Sequence, residues 1–149
     1  MKKILVLCFA VFTAVNMFSQ AQNPVTWMTA YKSISATEGI IIITAHIEKN
    51  WHTYSQRPTT DGPIPTSFNF PLSKQYQLVG KTEESEAHEE FQEAFGAKVF
   101  LFSDKAEFKQ KIKILGKSGF PIAFKVEYMS CDDKMCLPPK TVDLSVKVQ

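Results

Sequence analysis

Cysteine is scarce in this 149-residue chain, which carries only Cys8, Cys131 and Cys136. That excludes a miniprotein held by a dense disulfide framework, and the length is enough to bury an ordinary core. Glycine is also sparse, at six residues, so neither a collagen-like nor a flexible low-complexity chain is in view. Neither sign of charge dominates, with 17 Lys and Arg against 15 Asp and Glu. Without a basic surplus there is no electrostatic footprint for gripping nucleic acid, and no nucleic-acid partner is expected. Histidine occurs singly at 46, 52 and 88, each read as an ordinary strand or loop residue, and no second Cys or His pair completes a metal tetrahedron. Long apolar runs are missing as well, except at the N-terminus.

That exception reads as an export signal over residues 1–21. Lys2 and Lys3 form a positive start, Ile4 to Met17 is apolar but for Thr13 and Asn16, and Ser19 and Ala21 occupy small-residue positions suited to cleavage. The run is short for a membrane-spanning helix. Cys8 follows Leu7, where a lipid-attachment site would have a small residue, so cleavage near Ala21 is the expectation. A mature chain from residue 22 to 149 then holds fifteen basic and fifteen acidic residues, no transmembrane segment and two cysteines. In an oxidising compartment those two are expected to pair.

The mature part is patterned for strands. In Gly39 to Lys49, four consecutive isoleucines precede alternating residues, which favours a central strand buried on both faces at its start. Trp27 to Ile34 precedes it, and Trp51 to Ser55 follows as a short aromatic strand. Arg57 to Pro65 contains three prolines and a glycine and reads as a loop. Short strands are expected at Ser67 to Phe70 and Gln75 to Val79. The glutamate-rich stretch Glu83 to Glu93 reads as a solvated helical turn or charged loop. Period-two alternation returns in Lys98 to Phe102, Ala106 to Leu115, Pro121 to Met129 and Thr141 to Val148. Such half-polar strands make antiparallel sheets with one wet face, and seven to nine of them predict a single all-β, immunoglobulin-like antiparallel β-sandwich.

Chemistry concentrates between the last two predicted strands, in Ser130-Cys131-Asp132-Asp133-Lys134-Met135-Cys136-Leu137-Pro138-Pro139-Lys140. Cys131 should end one strand and Cys136 begin the return, at the roughly 5.5–6 Å Cα separation common for disulfides. Closing a ring of about six residues stabilises by roughly 2 kcal/mol, against about 4.7 kcal/mol for a hundred-residue loop. A bridge meant to hold a sandwich together would join distant strands. Three readings stay open on these residues alone: a structural staple, a reversible redox pair, or a soft-metal site in which Met135 assists two thiolates.

The segment CDDKMCLPPK, after the strand ending Glu127-Tyr128-Met129-Ser130, resembles the end of the N-terminal periplasmic domain of DsbD-type thiol:disulfide interchange proteins. Trp51-His52-Thr53-Tyr54 is similar to an aromatic-rich strand of that family, and Phe95-Gly96-Ala97-Lys98 to its cap loop. The resemblance implies an immunoglobulin-like domain whose Cys131 and Cys136 exchange electrons with periplasmic thiol-disulfide proteins, including those serving cytochrome c maturation. It implies that Phe95, or Phe91 if the register slips, covers the bridge, with Tyr54 packed beside it. Full-length members continue into membrane-embedded and thioredoxin-like domains. A chain ending at Gln149 is therefore expected to draw electrons from a membrane-embedded reductase in trans, as one component of a protein-disulfide reductase. No cofactor and no metal are implied. Asp132 and Asp133 should raise a neighbouring thiol's pKa and Lys134 lower it, giving thiols that are not strongly acidic. The rivals are a non-catalytic binding module with a structural disulfide and a periplasmic copper-handling protein.

Overall fold

A computed structural model describes residues 22–149. The expected leader, with Cys8, lies outside the described residues. Within them the chain forms eleven strands and no helix, so none is long and apolar enough to cross a membrane. The strands are β1 (Val25–Ser33), β2 (Glu38–Ile47), β3 (His52–Tyr54), β4 (Ser67–Asn69), β5 (Tyr76–Glu84), β6 (His88–Gln92), β7 (Ala97–Ser103), β8 (Lys105–Ile114), β9 (Pro121–Tyr128), β10 (Ser130–Cys131) and β11 (Lys140–Lys147). They pair antiparallel in three sheets, ordered β1-β2-β8-β5, β11-β9-β4 and β10-β3-β7-β6.

The first two sheets form the body of an immunoglobulin-like sandwich. On β2, Ile41, Ile43 and Ala45 are buried, and on β8 Ala106, Phe108 and Ile112. Ile122, Phe124, Val126 and Tyr128 face them from β9. Trp27 sits at the seam, with ring centroids 5.2 Å from Tyr128 and 5.9 Å from Phe108. Ile40 and Ile42 are only half-buried, so β2 is central in its sheet but buries one face more deeply than the four-isoleucine run suggested.

The third sheet extends the body at one end. Asn50 and Asp104 adopt left-handed backbone, with φ of 68° and 61°. Asn and Asp tolerate that region better than most residues. These two kinks divide β2 from β3 and β7 from β8, so the ladder between β2 and β8 is carried on by β3 and β7. Met129, without a left-handed kink, separates β9 from β10. Three chain segments thus leave the sandwich together and carry β3, β7 and β10 to one tip.

One expectation is corrected here. Glu83 to Glu93 is solvated over most of its length, as expected, but it is not one helical turn or charged loop. β5 continues to Glu84 and β6 is built from His88–Gln92, leaving residues 85–87 and the turn from Glu93 outside strands. Pairing gives the carboxylates somewhere to go. Glu84 accepts from Ser55 Oγ at 2.5 Å and the Gln56 backbone amide at 2.8 Å, and Glu89 bonds Lys98 Nζ at 2.7 Å. His88, Glu90 and Phe91 of β6 are exposed, which a sheet edge permits, whereas Gln92 at its end is half-buried.

Candidate functional site: a cysteine pair at the tip of the sandwich

The tip has its own small core of Tyr54, Val99, Leu101 and Cys131, against which Phe95, Met129 and Cys136 pack partly buried. The strand carrying Tyr54 is clamped from both sides. Thr53 Oγ1 donates to the Met129 carbonyl at 2.9 Å, and Thr66 Oγ1 donates to the Tyr54 carbonyl. Thr53, Ser55, Thr66 and Ser130 are all buried, a cluster of buried Ser and Thr side chains that the described sandwich body does not share.

Cys131 and Cys136 are disulfide-bonded, with Cα atoms 4.0 Å apart. That is closer than the separation expected from sequence, and the backbone explains it. Leu137 N donates to Ser130 O and Asp132 N to Met135 O, both at 2.9 Å, so the cysteines face each other at a non-hydrogen-bonded cross-strand position. Antiparallel strands approach most closely at such positions. The four-residue excursion between them is tied by Asp132, whose Oδ1 accepts from the Lys134 amide at 2.8 Å and the Met135 amide at 2.7 Å. Those two amides hold its carboxyl below the usual value. Pro138 and Pro139 cannot donate to a ladder, and β11 starts only at Lys140.

The two sulfur-bearing residues differ in access. Cys131 is 2% exposed, whereas Cys136 is half-buried. Both line a cavity of about 440 Å³ shared with Trp51, His52, Phe91 and Gln92. Phe91 and Met135 stand at this end as exposed apolar side chains, at 59% and 50%. Glu90, Glu93, Asp104, Asp132 and Asp133 also line the cavity, and no Lys or Arg does.

Of the aromatic residues singled out from sequence, the structure separates the two phenylalanines. Phe95 lies in the β6–β7 turn, where its amide donates to Gln92 O and Gly96 takes φ of 61°. Its ring meets Tyr54 edge-on at 6.1 Å and packs on the cluster that contains Cys131. Phe91 is on β6 and lines the cavity but belongs to neither apolar cluster. Tyr54 is 1% exposed, and burial raises its hydroxyl pKa well above the ordinary range, opposed by its bond to Gln92.

His52 and Gln92 were not singled out by sequence reasoning, and both belong here. His52 is directly opposite Cys131 in the β3–β10 register. Directly opposed residues, and residues two apart on one strand, share a sheet face, so His52, Tyr54 and Cys131 point to the same side. His52 Nε2 lies 3.0 Å from Tyr54 Oη and 2.9 Å from Gln92 Nε2, and Tyr54 Oη donates to Gln92 Oε1 at 2.9 Å. The hydroxyl gives its single proton to Gln92, so Nε2 receives the amide proton of Gln92. This orientation of the Gln92 amide suits a neutral ring that carries its proton on Nδ1. Burial lowers the His52 pKa, opposed by Glu90, Asp133 and Asp132. The available signal was the His-x-Tyr spacing on one strand; the register that sets it against Cys131 is not written locally.

A model of the family described as "Thiol:disulfide interchange protein DsbD, N-terminal" matches residues 21–147. Among solved structures, the chain is similar to the reduced N-terminal domain of Neisseria meningitidis DsbD, with TM-score 0.55, 14% identity and 83% of each chain covered. It is similar to the DsbD N-terminal domain complexed with the PilB N-terminal domain from the same organism, with TM-score 0.51, 12% identity and 80% of each chain covered. It is also similar to the N-terminal periplasmic domain of ScsB from Proteus mirabilis, with TM-score 0.54, 16% identity, and coverage of 83% of this chain and 44% of that one. These likenesses show the fold. No curated protein sequence matches the chain. The family match over nearly the whole described chain, a sandwich of the same architecture and a bonded cysteine pair at its tip together place this chain in the DsbD N-terminal domain family.

Proposed function

We propose that this domain is an exported thiol-disulfide carrier that passes electron pairs from a membrane-embedded reductase, working in trans, to periplasmic disulfide proteins. The observation that carries this reading is the placement of Cys131 and Cys136: a bonded pair at the lip of a cavity, one sulfur residue buried and the other half-exposed. A bridge spanning so short a loop adds little to the stability of a domain with a large core of its own. The leader over residues 1–21 supports the periplasm as its place of work.

The exchange runs as two displacements. In the reduced domain the Cys136 thiolate attacks a partner's disulfide, a mixed bond forms at Cys136 Sγ, and the partner's other sulfur leaves as a thiolate. Cys131 then loses its proton and attacks Cys136 Sγ, re-forming the internal bond and releasing the partner's second thiol. Two electrons and two protons have moved to the partner. The asymmetry in burial supports Cys136 in the first role. Phe95, braced on Tyr54, shields the pair when no partner is docked, and the β6–β7 turn that carries it moves aside for docking.

Trapping separates this reading from a binding module with a structural bridge. Cys131→Ala leaves the accessible thiol without a resolving neighbour and is expected to capture exported thiol-disulfide proteins as mixed disulfides. Cys136→Ala leaves only the buried thiol and is expected to capture little. A protein from which neither variant yields a mixed disulfide is not an electron carrier.

A further inference from the structure

Attack by Cys131 has a difficulty that the two displacements leave unsolved. The residue is 2% exposed, and burial together with Asp132 and Asp133 disfavours its thiolate. No Lys or Arg lines the cavity to offset them. An uncharged thiol is a poor nucleophile, so its proton needs an acceptor within the tip itself.

The groups facing that space can be compared one by one. Tyr54 on β3 is held as a neutral phenol, and Gln92 on β6 does not titrate in this range. Glu90 on β6, Glu93 and Asp104 at the rim, and Asp132 and Asp133 in the cysteine loop are carboxylates. Carboxylates hold protons weakly near neutral pH, where a useful base has its pKa close to the working pH. His52 remains. It stands opposite Cys131 on the same sheet face and lines the same cavity. Its Nε2 is engaged by Tyr54 and Gln92, while Nδ1 has no side-chain partner among the described residues.

On the exchange reading above, we propose that His52 takes the Cys131 proton when this thiol attacks, and returns it when the disulfide is reduced. Gln92 makes both proton states of the ring possible. With its amide as placed, Gln92 donates to a bare Nε2 and the ring proton sits on Nδ1. A half-turn of the amide presents Oε1 instead, which accepts a proton from Nε2 and leaves Nδ1 free to receive one. In the mixed disulfide, the Cys131 proton moves to His52 and the Cys131 sulfur bonds to Cys136 Sγ. The bond from Cys136 to the partner breaks, and the departing thiolate takes the proton from the imidazolium. In reduction, the same ring protonates Cys131 as it leaves. Electrons and protons balance with the partner's disulfide as the only oxidant.

The test uses the reduced domain and the neutral probe 4,4′-dithiodipyridine, followed by stopped-flow absorbance. Capture at Cys136 releases one thiopyridone in a phase that depends on probe concentration; resolution by Cys131 releases the second in a phase that does not. In the wild-type protein, the second phase is expected to rise with pH up to at most about 6.5 and then level, because neutral His52 is the active form. In His52→Gln, which keeps hydrogen-bonding capacity but cannot carry a proton, the second phase should slow by roughly tenfold or more at neutral pH. Its rate should then climb steadily toward the thiol's own range near about 8.5. The first phase should change far less than the second. A wild-type second phase with no inflection below neutral overturns the proposal without recourse to any variant, as do superimposable wild-type and His52→Gln profiles. A wild-type domain that never releases the second equivalent overturns the exchange reading, and the role of His52 with it.

Discussion

The body of the sandwich and its tip are built by different means from the same kind of strand. In the body, β2, β8 and β9 bury Ile41, Ile43, Phe108, Ile112, Phe124 and Val126, and the partners are apolar. At the tip, only Tyr54, Val99, Leu101 and Cys131 form a buried apolar group. Around it are the buried hydroxyls of Thr53, Ser55 and Ser130 and the triangle of His52, Tyr54 and Gln92. Apolar burial is non-directional and sums to stability, whereas hydrogen bonds fix orientation for little net energy. The body accordingly supplies the stability, and the tip fixes where two sulfurs, a ring nitrogen and an aromatic cover sit.

Substitutions should break that contrast in a graded order. Replacing either Cys131 or Cys136 with Ala is expected to abolish two-electron exchange, measured as loss of the second thiol equivalent released from a disulfide probe, while the sandwich stays folded. Phe108→Ala, in the body, should cost about 3–5 kcal/mol in denaturant unfolding while leaving the reduction potential of the pair unmoved. Phe95→Ala, at the tip, should give the reverse pattern. Its loss of stability is expected to be about 1 kcal/mol, and the bridge should be reduced faster by a small dithiol. A smaller effect concerns Asp132, whose carboxyl is held below its usual 3.8 by the amides of Lys134 and Met135. The fold favours the ionised form, so this tie is complete above about pH 3.8 and is lost as pH falls through the lowered value. The amide resonances of Lys134 and Met135 should report the loss in an acid titration. Phe91→Ala should be nearly silent, changing stability by less than about 0.5 kcal/mol.

The sandwich was legible because its strands announce themselves. Pro121 to Tyr128 alternates strictly, and every second residue, from Ile122 to Tyr128, is buried. The cysteine motif was legible as local sequence, including its turn back toward the last strand. What escaped was long-range. The glutamates from 83 to 93 look like a solvated turn until Ser55, Gln56 and Lys98 arrive from elsewhere in the chain to pair with them. His52 looks like an isolated strand residue until β10 folds against β3 and sets Cys131 across from it. Gln92 carries no chemical signature of its own; it matters because it ends the strand before the Phe95 turn and reaches back to the ring. Periodicity reports which face a residue takes, but register between strands far apart in sequence is decided by the whole sandwich.

The most direct measurement is the equilibrium reduction potential of the Cys131–Cys136 bond in the folded domain, titrated against a dithiol couple at neutral pH. The account expects a value above about −300 mV, within reach of cellular thiol donors. A potential below that, with the bridge intact under conditions that reduce exchanging disulfides, would contradict it and leave the bond a structural staple.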